Sequence, residues 1–212
     1  YGYYTADITR TIPVGGKFTE EQREIYDLVL KAQKAAIGEM KPGAAITAAH
    51  RMATNVIIDG LHELGLVTNP ECQWQRKFYT IYHICHFLGL DVHDAGNQGI
   101  PRSLMSTYLV ADTAVGRPLE EGMVLTVEPG IYLRANGLDQ LELLYGNEAG
   151  EGEIDDFIEK VRPVYERYSN TGIRIEDDVL ITGSGNVVLS ASIPKEPDEI
   201  EKLMQGSGKK RI

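Results

Sequence analysis

Two glutamates stand in stretches of sequence that otherwise have the pattern of buried β-strands. Glu128 ends the apolar run 123–128 and is followed by a Pro-Gly pair, whereas Glu176 ends the run 173–176. A carboxylate at the end of a buried strand is costly to desolvate unless a positive group meets it. A metal ion is one such group, and Arg174, on the same strand face as Glu176, is another. The sequence therefore predicts either a metal site or an Arg–Glu pair at the surface.

Histidines are concentrated in one segment, 82–94, which holds three of the five in the chain. They are His83, His86 and His93. Imidazole is the commonest transition-metal ligand and the usual acid or base near neutral pH, so the cluster predicts a site on a strand and the loop that follows it. Each histidine alone also has a purely structural explanation. We interpret His50 and His62 in that way, as residues on helix surfaces.

Asp7 lies in a β-branched stretch, with Thr9 on the same strand face as a hydroxyl that could support a ligand. Alone it is equally typical of an exposed strand. Combined with one histidine and the two glutamates, it completes an oxygen-rich set with a single imidazole. Such a set suits Mn²⁺ or a related divalent ion better than a thiolate-type zinc site.

The remaining pattern predicts one α+β domain over residues 1–205. Thr19 and Gln22 form a capping-box signature before a helix that ends at 41–43. The other predicted elements are a helix at 47–64, strands at 1–14, 78–90, 123–133 and 173–182, a hairpin turn at 183–186, a surface insertion at 134–171, a helix after Pro197 and a flexible tail at 206–212.

Composition narrows the function classes. The net charge of −10 excludes a general affinity for nucleic acid or anionic membranes, and there is no apolar run of membrane-spanning length. Cys72 and Cys85 are not in a CxxC spacing, which favours free thiols in a reducing, cytoplasmic compartment. The chain opens on Tyr1 without a signal-peptide pattern, and we interpret it as a fragment.

Four motifs, in this order, resemble the catalytic part of the pita-bread metallopeptidases of the aminopeptidase P and prolidase family. They are DITRT (7–11), CHFLGLDVHD (85–94), GMVLTVEPGIY (122–132) and GIRIEDDVLIT (172–182). The resemblance implies a curved antiparallel sheet with flanking helices. It implies an Xaa-Pro aminopeptidase, which releases the first residue of a peptide whose second residue is proline. The alternatives are a prolidase cutting Xaa-Pro dipeptides, and a metal-free module that binds peptides or proteins.

The resemblance also implies the metal ligands: Asp7, His86, Glu128 and Glu176. Two Mn²⁺ ions, for which Zn²⁺ or Co²⁺ can substitute, hold a bridging hydroxide as the nucleophile in the intact enzyme. A fifth ligand, an aspartate, would precede Tyr1. We therefore expect an N-terminally truncated domain that binds one ion or none and is impaired in activity, whereas the intact protein forms a homodimer or homotetramer.

Further roles carried over from the family fall on residues around the ligands. Glu128 shuttles a proton, His93 steadies the tetrahedral intermediate, and Tyr132 and Arg174 lie near the substrate. The chain departs from the family where a His-Gly-x-x-His pattern is usual. Here Tyr82 occupies the position of the first histidine, and His83 is displaced from it by one residue. Either Tyr82 donates a hydrogen bond to the substrate, or a local irregularity turns His83 towards the substrate.

Overall fold

Helices form most of the first third of the chain. The computed structural model describes residues 2–104, 108–110 and 113–207. Its first three helices are α1 (Glu20–Glu39), α2 (Ala48–Glu63) and α3 (Gln73–Tyr79). The capping box is confirmed, since the Thr19 side chain accepts from the backbone N–H of Gln22 and the Gln22 side chain accepts from that of Thr19. α1 and α2 pack closely against each other.

Strands follow in the second half and form two antiparallel sheets. They are β1 (Val124–Val127), β2 (Gly130–Leu133), β3 (Thr171–Arg174), β4 (Asp177–Thr182) and β5 (Gly185–Val188). One sheet has the order β1-β4-β5, with the predicted tight turn between β4 and β5, and the other pairs β2 with β3. The mixture of helices and antiparallel sheet confirms the α+β class.

The two sheets are consecutive parts of one long ladder that is interrupted in the middle. Val127 pairs with Asp177 in the first sheet, and Gly130 pairs with Arg174 in the second. Glu128 lies in the gap on one chain segment and Glu176 in the gap on the other. Both sheets keep the same register, so Glu128 and Glu176 are opposite each other in the gap and their side chains lie on one face.

The prediction of a regular strand at 78–90 is wrong. α3 extends to Tyr79, and among the described residues of this stretch only Phe87 forms a bridge, with Leu125. The stretch still runs beside β1, because the carbonyls of Ile84 and His86 accept from β1 and its end. Regular pairing fails because the His86 N–H donates to the Thr126 side chain, at 3.1 Å.

The strand predicted at 1–14 is not formed in the described part of this segment. Residues 2–14 contribute one isolated bridge, from Arg10 to Ile175. Side chains replace the ladder. Thr11 Oγ1 donates to the Arg174 carbonyl at 2.9 Å and accepts from the Arg174 N–H at 3.0 Å. The segment is thus held along β3 and β4 by hydroxyl groups more than by backbone pairing.

Segment 134–171 folds into a 3₁₀ turn (Leu138–Gln140) and the helices α4 (Leu141–Tyr145) and α5 (Glu153–Tyr168). One face of α5 joins the hydrophobic core, through Ile154, Phe157, Val161, Tyr165 and Tyr168. Its role as an insertion stays a prediction, but its packing is not confined to the surface. The last helix, α6, is Pro197–Ser207. The tail was predicted at 206–212, but 206–207 belong to this helix, and the rest of the predicted tail lies outside the described residues.

None of the helices in the described ranges is both long and apolar enough to cross a bilayer. Cys72 and Cys85 are free thiols, as predicted, and burial raises the pKa of the Cys85 thiol.

The interpretation of His50 as a helix-surface residue is wrong, because its side chain is buried beneath the chain that follows α3. Nδ1 accepts from the Ile84 N–H at 3.4 Å, and Nε2 lies 2.8 Å from the Leu109 carbonyl. This pattern fits a neutral ring with its proton on Nε2. Burial, aided by the neighbouring His83, lowers the pKa of His50 to about 3.

A buried carboxylate, Asp177, connects four elements of the chain. It accepts hydrogen bonds of 2.6 Å from each of four side chains. They are Arg10, Gln33, Ser190 and Lys195. Burial alone would raise the pKa of Asp177, but these four donors outweigh it and hold the pKa well below its usual range.

We predict that Asp177→Ala lowers the free energy of unfolding by about 3–5 kcal/mol, because it leaves two buried cations without their anion. Urea-induced unfolding followed by fluorescence of the buried Trp74 measures this change. The exposed Asp59→Ala on α2 serves as a control and should change the free energy by at most about 0.5 kcal/mol. A loss below about 1 kcal/mol for Asp177→Ala would contradict the assignment.

We also predict that His50 makes stability depend on pH. The unfolded chain binds a proton at this ring near pH 6.5 and the folded chain does not, so stability is retained above that pH and declines as the pH falls. From pH 7 to 5 the loss due to His50 is about 2 kcal/mol, and His50→Gln should abolish it. Thr54→Val removes a neighbour but keeps the ring, so it should keep the wild-type slope. Equal slopes for wild type and His50→Gln would refute this.

Candidate metal centre

Asp7, His86, Glu128 and Glu176 converge from four separate segments. The Nε2 atom of His86 is 3.3 Å from Glu128 Oε1 and 3.6 Å from Asp7 Oδ2. Donor atoms of His86, Glu128 and Glu176 all lie within 4.8 Å of one another, and so do those of Asp7, His86 and His93. The structure thus brings all four residues of the predicted ligand set to one place.

His86 is oriented by two contacts on its far side. Its backbone N–H donates to Thr126 Oγ1, and its Nδ1 lies 3.0 Å from the carbonyl of Phe87. A proton on Nδ1 that donates to this carbonyl leaves the lone pair of Nε2 directed at the carboxylates. Nε2 is buried and has no hydrogen-bond partner. The His86 ring therefore has the orientation expected of a metal ligand that binds through Nε2.

Each glutamate uses one carboxylate oxygen for a contact with Thr9 or Arg174. Glu176 Oε2 accepts from the Thr9 hydroxyl at 2.5 Å, whereas Oε1 is buried without a partner. Glu128 Oε2 is 2.9 Å from Nη1 of Arg174, and its Oε1 faces His86. The Thr9 contact matches the support expected of that hydroxyl.

The crowding of carboxylates shifts their protonation. Burial raises the pKa of Glu176 to about 7, and the charges of Glu128 and Asp7 add to the shift against the hydrogen bond from Thr9. Burial would lower the pKa of His86, but contacts with Glu128, the Phe87 carbonyl and Asp7 outweigh it, and the net shift is upward. Like charges gathered at this distance favour a cation between them.

The donor set fits a divalent metal ion. Three carboxylates and one imidazole are hard or intermediate ligands. Within this set of four residues, Glu176 Oε1 and His86 Nε2 are buried without a hydrogen-bond partner, and both are atoms of a kind that binds metal ions. A pure Arg–Glu pair does not explain the site, because Arg174 contacts Glu128 and leaves Glu176 Oε1 unpartnered.

His93 lies at the rim of the centre and is exposed. Its ring stands edge-on to the His86 ring, with centroids 4.5 Å apart. It is thus close to the ligands yet open to solvent, a position compatible with contact to a substrate. Its catalytic role stays a prediction.

The three remaining predicted residues separate into two groups. Tyr82 and Tyr132 flank Arg174, with Arg174 Nε donating to the Tyr132 hydroxyl at 2.7 Å. His83 instead has its ring 5.0 Å from that of His50, with Nδ1 2.6 Å from the carbonyl of Cys85. The structure therefore directs Tyr82, and not His83, towards Arg174.

Two supporting residues were missed by the sequence analysis. Asp178 accepts from the Asp7 N–H at 3.3 Å through both carboxylate oxygens, and Thr126 accepts from the His86 N–H. Each lies two positions from a ligand, Glu176 or Glu128, and so on the same strand face. Strand alternation was the signal that could have identified them.

Comparison with known proteins agrees with this geometry. The model of metallopeptidase family M24 matches residues 1–183. The chain belongs to that family. An Xaa-Pro aminopeptidase of Haemophilus influenzae is 40% identical over 209 residues, which cover 96% of this chain and 40% of the relative. The Escherichia coli Xaa-Pro aminopeptidase is 38% identical over 213 residues, with 99% and 40% coverage.

Solved M24 structures show the same fold. Escherichia coli aminopeptidase P with the inhibitor Pro-Leu superposes with a TM-score of 0.75 at 36% identity, covering 99% of this chain and 40% of that one. The aminopeptidase of Pseudomonas aeruginosa gives 0.72 at 33% identity, with the same coverage. These neighbours confirm the pita-bread fold. The chain spans about 40% of the length of these relatives.

We predict that metal binding to this centre releases protons and weakens as the pH falls below 7. Glu176 and His86 must both be deprotonated to act as ligands, so the apparent affinity should fall by roughly tenfold per pH unit for each of the two groups that is protonated. Titration calorimetry with Mn²⁺ at pH 6 and 8, in buffers of different ionisation enthalpy, measures the released protons.

Thr9→Val is the matched control for this titration. It removes the hydrogen bond that opposes the upward shift at Glu176 and should move the midpoint to higher pH. A proton release that is the same at pH 6 and 8 would exclude the protonated Glu176.

Proposed function

We propose that the intact protein is a metal-dependent exopeptidase that releases the N-terminal residue from peptides with proline in second position. The observation that carries the proposal is the convergence of Asp7, His86, Glu128 and Glu176, with unpartnered donor atoms on His86 and Glu176. The relatives named Xaa-Pro aminopeptidase support the substrate class.

The four residues would hold divalent ions, for which we propose two Mn²⁺ in the intact protein. A relative has been solved in a Zn-substituted form, which supports exchange of the metal. When bound, the metal lowers the pKa of water and polarises the scissile carbonyl. For residues 1–212 alone we propose one ion or none.

Glu128 is the residue we assign to proton transfer. A carboxylate oxygen takes the proton from the attacking water and returns it to the prolyl nitrogen as the peptide bond breaks. The contact of Oε2 with Arg174 fixes the orientation of this carboxylate. Arg174 thus acts on the base.

His93 is assigned to the carbonyl oxygen of the scissile bond. Its exposure leaves it free to donate a hydrogen bond to charge that develops there, beside the ligand ring of His86. The imide nitrogen of a substrate proline has no hydrogen to donate. Selectivity for proline must therefore come from pocket shape and aromatic packing, and we assign the aromatic packing to Tyr132.

Two alternatives are less well supported. A prolidase would share the metal centre, but the relatives reported above are named as aminopeptidases. A metal-free binding module has no need of buried donor atoms without partners. A homo-oligomer and, from the free thiols, a cytoplasmic location remain parts of the proposal.

We predict that the intact, Mn²⁺-loaded protein cuts the tripeptide Arg-Pro-Pro after its first residue. Glu176→Gln should lower kcat/KM by about 100-fold or more, because an amide is a poor ligand for a hard ion. Exposed Glu151→Gln, as control, should keep the wild-type rate. Chromatography of the released arginine measures the reaction.

Two outcomes would oppose this proposal. Equal rates for wild type and Glu176→Gln would show that the metal centre is not the site of cleavage. Cleavage of an Xaa-Pro dipeptide in preference to the tripeptide would favour the prolidase.

A further inference from the structure

Arg174 is enclosed by the rings of two tyrosines beside the metal centre. Its Cζ atom lies 4.8 Å from the ring centroid of Tyr82 and 5.8 Å from that of Tyr132. Its Nη1 reaches Glu128 Oε2 at 2.9 Å. A guanidinium within about 6 Å of an aromatic face is attracted by the ring quadrupole. The rings therefore favour the side-chain position from which Arg174 contacts Glu128.

The hydroxyl of Tyr82 has a partner within the protein. It donates to the backbone carbonyl of Glu128 at 2.8 Å. Tyr82 thus acts on Glu128 twice, directly at its main chain and through Arg174 at its carboxylate. Burial raises the pKa of Tyr82, so the hydroxyl stays protonated as this donor.

We propose that Tyr82 is a positioning residue that holds the Arg174 guanidinium against Glu128 Oε2, and that it does not donate a hydrogen bond to the substrate. Gly130 makes the arrangement feasible. A Cβ atom there would lie 2.8 Å from the Tyr82 hydroxyl and 2.9 Å from the Tyr132 hydroxyl, so only glycine lets both rings approach.

The consequence for Glu128 follows from its two oxygens. With Oε2 fixed by Arg174, Oε1 is directed at His86, where the metal would bind. Without the ring of Tyr82, Arg174 can move into solvent and the carboxylate can rotate. The effect should fall on the rate of the chemical step and not on binding of the peptide.

The test compares Tyr82→Phe, which keeps the ring, with Tyr82→Leu, which removes it, in the intact Mn²⁺-loaded protein. This inference rests on the proposed function. Tyr82→Leu should lower kcat by about three- to thirtyfold, the range expected from the strength of a cation–π contact, with KM and metal content unchanged. Tyr82→Phe keeps the ring and loses only the hydroxyl contact with the Glu128 carbonyl, so its loss of kcat should be smaller than that of Tyr82→Leu.

The same two substitutions made in an Arg174→Ala background provide the decisive comparison. If the ring of Tyr82 acts through Arg174, Tyr82→Leu and Tyr82→Phe have the same effect there. A difference between the two variants that persists there, an increase in KM as the main effect, or, with Arg174 present, a Phe variant as slow as the Leu variant would each overturn the proposal.

A structural measurement judges the proposal independently of activity. In crystals of Tyr82→Leu we expect the Arg174 Nη1–Glu128 Oε2 contact to open beyond hydrogen-bond distance, and in Tyr82→Phe to remain. An unchanged contact in Tyr82→Leu would overturn the positioning role. If the wild-type protein cuts no Xaa-Pro peptide, the proposed function fails, and this measurement still decides the role of Tyr82.

Discussion

The buried ion pair between Arg10 and Asp177 supports the rest of the site. Arg10 is on the N-terminal segment, which has no regular strand pairing in the described residues, and its guanidinium also donates to the carbonyl of Glu176 at 2.6 Å. An unpaired charge at this depth would be strongly destabilising, so the pair has one favourable geometry. That geometry fixes the segment three residues after Asp7 and therefore sets where the Asp7 carboxylate can lie.

The interrupted ladder supplies the second requirement. The two sheets keep the same register across the gap, so Glu128 and Glu176 are opposite each other and their side chains lie on one face. His86 reaches them there from a neighbouring stretch. Repulsion among the acids is the source of the raised pKa at Glu176 after burial itself, and it is also what makes the place selective for a cation.

Local chemistry explains which features the sequence could predict. Capping at Thr19, the tight turn after β4 and the ligand motifs depend on residues close in the chain, and the structure brings the ligands together. The irregular pairing near His86 depends on the Thr126 hydroxyl, 40 positions away. Burial of His50 likewise depends on distant chain packing over α2. Such contacts leave no periodic signal in a single sequence.

Gly130 shows how a site of this kind constrains its own variation. The two tyrosine hydroxyls and the Ile173 carbonyl all come within 3 Å of the place where a side chain would begin. Even a methyl group there would separate the rings and, through Arg174, disturb the contact with Glu128. Gly130 thus limits how closely Tyr82 and Tyr132 can surround Arg174. A larger residue at position 130 would require both tyrosine side chains to move or be replaced.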